Sequence, residues 1–135
     1  MRKILSVVTA IGIGLLCTAA AVRAHHSFSG EFDAEKPVKL RGVVTRVEWI
    51  NPHTWVHIDV KGPNNQVVKW EIELGTPNTL FRRGVTKDSL ASGTEVIVDG
   101  YRSRDGANRA NGSKVTLTDG RQLLLGSPGD AAAKP

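Results

Sequence analysis

The chain has 135 residues, and its 18 lysines and arginines against 13 acidic residues give a formal net charge of +5. A length of this order suits one domain with one hydrophobic core. The single cysteine excludes a scaffold built on intramolecular disulfides.

Residues 1–24 are predicted to be a secretory signal peptide. Arg2 and Lys3 form a basic start, and residues 4–22 are apolar or small and carry no charge. Val22-Arg23-Ala24 then has the small or apolar residues that leader peptidases accept at a cleavage site. We therefore expect export to the periplasm and a mature chain that begins at His25.

Two other interpretations of this segment stay open. The apolar stretch is long enough for a transmembrane anchor, although a cleavage site and polar sequence follow it at once. Cys17 is a candidate for lipid attachment, but Leu16 stands before it where a small residue is expected.

Removal of the signal peptide changes the composition. Arg2, Lys3 and Arg23 leave and no acid does, so the net charge falls from +5 to +2. The lone cysteine also leaves, and with it thiol chemistry. The remaining charge does not indicate nucleic-acid binding, which needs basic residues clustered on one face.

Three strands are predicted in the first half of the mature chain, at residues 40–50, 54–60 and 67–74. Gly42 marks a bulge or bend in the first, and Asn51-Pro52-His53 is a turn signal. Alternation divides the other two strands between a core face and a polar face. The core set is Val56, Ile58, Val60, Val68, Trp70, Ile72 and Leu74, and the polar set is Trp55, His57, Asp59, Lys69, Glu71 and Glu73.

A helical connection and shorter strands are predicted next. Thr76 and Pro77 are an N-cap and a first helical residue, so a short helix is expected at 78–83, ending at Gly84. The later predicted segments are a helical turn at 86–90, strands at 94–101, 113–118 and 121–125, and a polar loop at 102–112.

This order predicts an all-β fold with a short helical connection, a five- to six-stranded barrel like the oligonucleotide/oligosaccharide-binding (OB) fold. A small β-sandwich is the alternative. The expected organisation is a signal peptide at 1–24, an N-terminal arm at 25–36, the OB-like barrel domain at 37–126 and a flexible tail at 127–135.

The four histidines, His25, His26, His53 and His57, are the candidate metal ligands. Cleavage after Ala24 would give His25 a free α-amino group beside its imidazole, and nitrogen-rich sets of this kind suit copper(II). Cleavage one residue earlier would place His26 third from the amine, which also binds copper(II). His53 and His57 are about 13 Å apart along a strand, so at most one of them can complete a site with His25 unless the Asn51-Pro52-His53 turn curls back.

Aromatic and arginine side chains are the other candidate ligand contacts. Trp55 lies on the polar face, where aromatic rings of barrel proteins stack on bases or sugars. Arginine forks bind carboxylates and phosphates, although surface arginines commonly pair with nearby acids. The candidates are Tyr101, Arg82, Arg83, Arg102, Arg104 and Arg109.

No set of catalytic residues stands out, so an enzyme is not expected. The leading hypothesis is a periplasmic binding module for a small ligand or a transition metal, copper in particular. The alternatives are an accessory subunit that docks a protein partner and a binder of an anionic small ligand. Neither nucleic acid nor, after signal cleavage, a membrane is an expected partner.

Several motifs resemble a family of small exported bacterial proteins that carry a domain of unknown function. They are His25-His26-Ser27-Phe28, Glu31-Phe32-Asp33, Val47-Glu48-Trp49, Asn51-Pro52-His53, Thr76-Pro77-Asn78, Leu80-Phe81-Arg82-Arg83-Gly84, Gly100-Tyr101-Arg102 and Asp105-Gly106. The resemblance spans nearly the whole mature chain and implies a periplasmic domain of barrel type. It implies no established activity, substrate or cofactor.

Overall fold

The computed structural model describes residues 28–127 and residue 129, and the protein there is mostly β. A helical turn at 28–31 leads into β1 (Phe32–Glu48), β2 (Trp55–Lys61), β3 (Val67–Glu73), α1 (Pro77–Arg82), a 3₁₀ turn (Asp88–Leu90), β4 (Glu95–Ser103), β5 (Arg109–Leu117) and β6 (Gln122–Leu124). The predicted β-rich fold with a short helical connection is confirmed.

The strands form one sheet in the order β3-β2-β1-β4-β5-β6, and all neighbours in this order are antiparallel. β1 is long enough to pair with β4 through residues 32–43 and with β2 through residues 42–48. A further, parallel pairing joins β3 to β5, from Glu71 opposite Arg109 to Glu73 opposite Asn111. The pairings thus connect β1, β2, β3, β5 and β4 in a ring, with β6 outside it.

The helical connection between β3 and β4 contributes buried residues to the main apolar cluster. Thr76 caps α1 by accepting a hydrogen bond from the backbone N–H of Thr79 at 3.2 Å, and Pro77 takes a first position where no backbone donor is needed. Leu80 of α1 and Leu90 of the 3₁₀ turn are buried in the main apolar cluster. The predicted helix start is confirmed, and the helix presents one apolar face to the sheet.

Five of the seven predicted core residues in this region are buried, and the other two, Val60 and Val68, are half-buried. Val56, Ile58, Ile72 and Leu74 are buried, and Trp70 is buried with 8 % of its surface exposed. Burial of each such apolar side chain contributes about 1.5–3 kcal/mol. The period-two pattern therefore places these strands correctly, with one exception, Glu73, which is described below.

Three boundaries differ from the prediction. β1 begins at Phe32 and not at residue 40, because pairing with β4 orders a charged stretch that has no apolar alternation of its own. β4 and β5 extend into the predicted polar loop 102–112, so that only residues 104–108 connect them. Pairing between distant segments overrides local polarity in both cases.

β1 is irregular between Val44 and Arg46 in its pairing with β2 and between Phe32 and Pro37 in its pairing with β4, and not at the predicted Gly42. Gly42 has a different role, because a Cβ atom there would lie 2.8 Å from the carbonyl oxygen of Asp59. Glycine allows the backbones of β1 and β2 to approach closely at this point.

The predicted signal peptide, His25 and His26 lie outside the described residues, as does most of the predicted tail. Within residues 28–127, no helix is both long and apolar enough to cross a membrane.

Candidate functional site

A cleft of about 500 Å³ opens where the N-terminal turn meets the ends of several strands. The start of β2, the end of β3 and the start of β5 come together there because Trp55 is opposite Glu73, and Glu73 is opposite Asn111. The lining residues are Phe28, Glu31, Phe32, His53, Trp55, Glu73, Leu74, Gly75, Asn111, Gly112, Leu125, Gly126 and Ser127.

His53 and Glu73 lie within hydrogen-bond distance of each other in this cleft. Nδ1 of His53 lies 2.7 Å from Oε1 of Glu73, and their side chains are 43 % and 8 % exposed. Two backbone hydrogen bonds fix the turn that carries His53 against the end of β3, from Thr54 N to Gly75 O at 3.0 Å and from Leu74 N to Thr54 O at 2.8 Å. The histidine is therefore held at the cleft by the carboxylate and by the backbone.

Glu73 is a buried carboxyl group whose ionisation is disfavoured by its surroundings. Burial is the largest effect on Glu73, and it raises the pKa above the ordinary value of 4.5. The charge of Glu31 raises the pKa further, whereas the charges of His53 and Arg109 lower it. The net result is a raised pKa. A buried carboxylate of this kind is stabilised by a further positive charge nearby. A cation bound in the cleft would supply that charge.

The raised pKa predicts a pH-dependent effect of Glu73→Gln. The folded state disfavours ionisation of Glu73, so the free energy of unfolding falls as pH rises above the ordinary pKa of 4.5 and through the raised one. Glutamine carries no charge at any pH. We therefore expect Glu73→Gln to raise the unfolding temperature at pH 7 and to lose this advantage at pH 4, measured by thermal unfolding in the presence of a chelator.

Glu71→Gln is the matched control, because Glu71 lies two residues away on the same strand and is exposed. Its effect should be small at both pH values. An equal effect of Glu73→Gln at pH 4 and pH 7 would contradict the prediction.

His57 lies in a different environment. Its Nε2 atom is 3.1 Å from both Glu48 Oε1 and Arg46, which pair with each other at 2.6 Å, and its Nδ1 atom is 4.0 Å from Glu71. His57 lines a second cleft of about 400 Å³, and Trp70 lines the same cleft. Both ring nitrogens therefore have charged neighbours, and the structure does not bring His57 and His53 into one site.

The other aromatic candidates divide between the cleft and the core. Trp55 is half-buried and lines the first cleft. Trp70 is buried, with the guanidinium of Arg102 5.4 Å from its ring centroid. Tyr101 is buried and meets Phe28 edge to face at a centroid distance of 6.0 Å. Tyr101 therefore packs against the N-terminal turn, whereas Trp55 is accessible to a ligand in the cleft.

Each of the candidate arginines is hydrogen-bonded to groups of its own chain. Their contacts are Arg82 with Asn78 O, Arg83 with Leu124 O, Arg102 with Gly106 O, Arg104 with Ser29 O and Phe32 O, and Arg109 with Asp105. Arg104 has a structural role near the cleft, since its hydrogen bonds of 2.7 and 3.0 Å hold the N-terminal turn to the end of β4.

Sequence reasoning missed Glu73 as a cleft residue, since alternation assigns it to the polar face. Glu73 is buried because β5 pairs with β3 at this point, and no local sequence pattern predicts that pairing. Asn111 and Ser127, which are hydrogen-bonded to each other in the cleft wall, were missed for the same reason. In the described residues, no three His, Cys, Asp or Glu side chains are grouped to hold a metal ion.

These features define a small β-protein with a cleft beside its N-terminal turn, in which a histidine is paired with a buried glutamate. Residues 11–114 match the model of a family of unknown function, DUF6152, and the chain belongs to that family. This confirms the resemblance to an uncharacterised family. A comparison with curated proteins gives no match.

Proposed function

We propose that this protein is a periplasmic binding module that holds a transition-metal ion, copper(II) in particular, with His53 and the N-terminal histidines His25 and His26. The observation that supports this most is the position of His53 in the same cleft as Phe28. Phe28 is only two residues after His26 and three after His25.

The pair of His53 and Glu73 suits a metal ligand and its supporting group. Metal-binding histidines commonly present their second ring nitrogen to a carboxylate, which fixes the tautomer and the ring orientation. Glu73 lies beside Nδ1, so it favours a proton on that atom and leaves Nε2 as the ligand nitrogen. Among the described residues, no hydrogen bond or ion pair occupies Nε2 of His53.

The remaining ligands are within reach along the chain. Three residues span at most about 11 Å, and Phe28 is anchored in the cleft by its contacts with Phe32 and Tyr101, at centroid distances of 5.8 and 6.0 Å. With the amine of His25 and the imidazoles of His25 and His26, the ligand set would be rich in nitrogen, which favours copper(II). The mature chain would have no cysteine or methionine for copper(I), because Cys17 and Met1 both leave with the signal peptide.

The same proposal includes the barrel and the compartment. The ring of pairings through β1, β2, β3, β5 and β4 supports an OB-like barrel, with the helical connection between β3 and β4 where that fold has it. Residues 1–24 are proposed as the cleaved signal, and cleavage there is what would free the amine of His25.

The proposal is tested by titrating copper(II) into the mature protein that begins at His25. We expect tight binding with one ion per chain, and quenching of tryptophan fluorescence that largely disappears in Trp55→Phe, because Trp55 lines the cleft. This second readout locates the ion. In Trp55→Phe, we expect the quenching to be lost while the affinity for copper(II) stays unchanged.

A variant that begins at Ala24 and carries His26→Ala tests the N-terminal ligands. It moves the amine away from His25 and removes the histidine that would otherwise stand third. We expect its affinity for copper(II) to fall by at least about tenfold. Micromolar or weaker binding by the mature protein, unaffected by these changes, would contradict the metal-binding function.

A further inference from the structure

An exposed apolar patch lies where β1 ends and α1 passes beside it. We define it as the aromatic patch, made of Trp49, Ile50 and Phe81. The rings of Trp49 and Phe81 are stacked, with centroids 5.2 Å apart and planes at 8°. Ile50 is 51 % exposed and Phe81 is 45 % exposed, whereas Trp49 is half-buried and also packs against the main apolar cluster. None of the three lines either of the two clefts described above.

Basic side chains predominate beside the aromatic patch along the chain, where Asp88 is the first acidic residue after it. Residues 49–58 and 74–87 contain no aspartate or glutamate, whereas Arg82, Arg83 and Lys87 follow Phe81 closely and are exposed. The nearest acid before the patch in the chain, Glu48, is paired with Arg46 at 2.6 Å. The patch therefore combines an apolar centre with a mainly basic flank.

We propose that the aromatic patch docks the protein on an anionic lipid surface. Tryptophan and phenylalanine side chains insert at the level of the lipid headgroups, and arginine and lysine beside them are attracted to anionic lipids. A stable protein interface needs about 20–30 residues on each side, which is far more than this patch supplies. A few apolar side chains with a basic flank instead suit reversible, salt-sensitive attachment to a bilayer.

The proposal is independent of copper, so it is tested with a chelator present. The mature protein is sedimented with vesicles of phosphatidylglycerol and phosphatidylcholine, and separately with vesicles of phosphatidylcholine alone. We expect binding to the mixed vesicles at low salt, strong weakening at high salt where surface charges are screened, and little binding to neutral vesicles. Equal binding to both kinds of vesicle, or none to either, would overturn the proposal.

Two variants and a matched control test the patch itself. Ile50→Ser and Phe81→Ser should each lower binding to the mixed vesicles by about fivefold or more. Val67→Ser is the control, because Val67 is a comparably exposed apolar residue, at 56 %, at the start of β3. Ile50 is exposed enough that its replacement should not affect folding, which circular dichroism checks. Vesicle binding that falls equally in Val67→Ser would place the attachment elsewhere and contradict the proposal.

Discussion

Replacement of His53 with alanine should lower the affinity of the mature protein for copper(II) by at least about tenfold. Loss of a group that merely orients a ligand already costs 10–100-fold in metal affinity, and His53 is proposed as a ligand itself. Its imidazole is the only one among the described residues that lines the cleft beside Phe28. Isothermal titration calorimetry on the mature protein, started at His25, measures the change.

His57→Ala is the matched control for this experiment. His57 is only four residues from His53 in the chain, but its ring contacts Glu48 and Arg46 at 3.1 Å in the other cleft. Its removal should leave the copper affinity unchanged. If His53→Ala and His57→Ala have equal effects, copper binds without the cleft, and the proposed site is wrong.

Replacement of Gly100 with alanine should destabilise the fold by about 3 kcal/mol or more, since overpacking against rigid backbone leaves few ways to relax. Gly100 lies in β4 where the register with β5 shifts. A Cβ atom there would overlap the carbonyl oxygen of Asn111 and lie 3.1 Å from the Cα atom of Gly112. The two strands would have to separate, and urea unfolding followed by circular dichroism measures the loss.

Gly30→Ala is the control for this substitution. Gly30 lies in the helical turn at 28–31, and a Cβ atom there would have no neighbour within 4 Å. Its effect should stay within about 0.5 kcal/mol. A Gly100→Ala protein as stable as Gly30→Ala would mean that β4 and β5 are farther apart than described.

Local sequence signals predicted those elements whose formation depends on local chemistry. The alternation of Val56 and Ile58 identified the inner face of β2, and the Thr76-Pro77 pair identified the start of α1. The early start of β1 at Phe32 was not predictable in this way, because its charged residues become a strand only through pairing with β4. The bulge between Val44 and Arg46 likewise depends on how β1 meets β2.

The candidate site was predictable only in part. Strand spacing alone indicated that His53 and His57 cannot share an ion, and the structure does place them at separate clefts. Which of the two faces the N-terminal turn depends on where Phe28 packs, and this is a long-range contact. Glu73 required knowledge of the β3–β5 pairing, which links residues far apart in sequence and has no signature in either strand.

The parallel pairing of β3 with β5 also has a consequence for the order of folding. Its three residue pairs join segments about 40 residues apart, and contacts of such high sequence separation carry a large loop-closure cost and slow folding. Hairpins such as β2–β3 close much shorter loops, so we expect them to form earlier. The cleft has walls from both β3 and β5, and we therefore expect it to form only after this non-local pairing is in place.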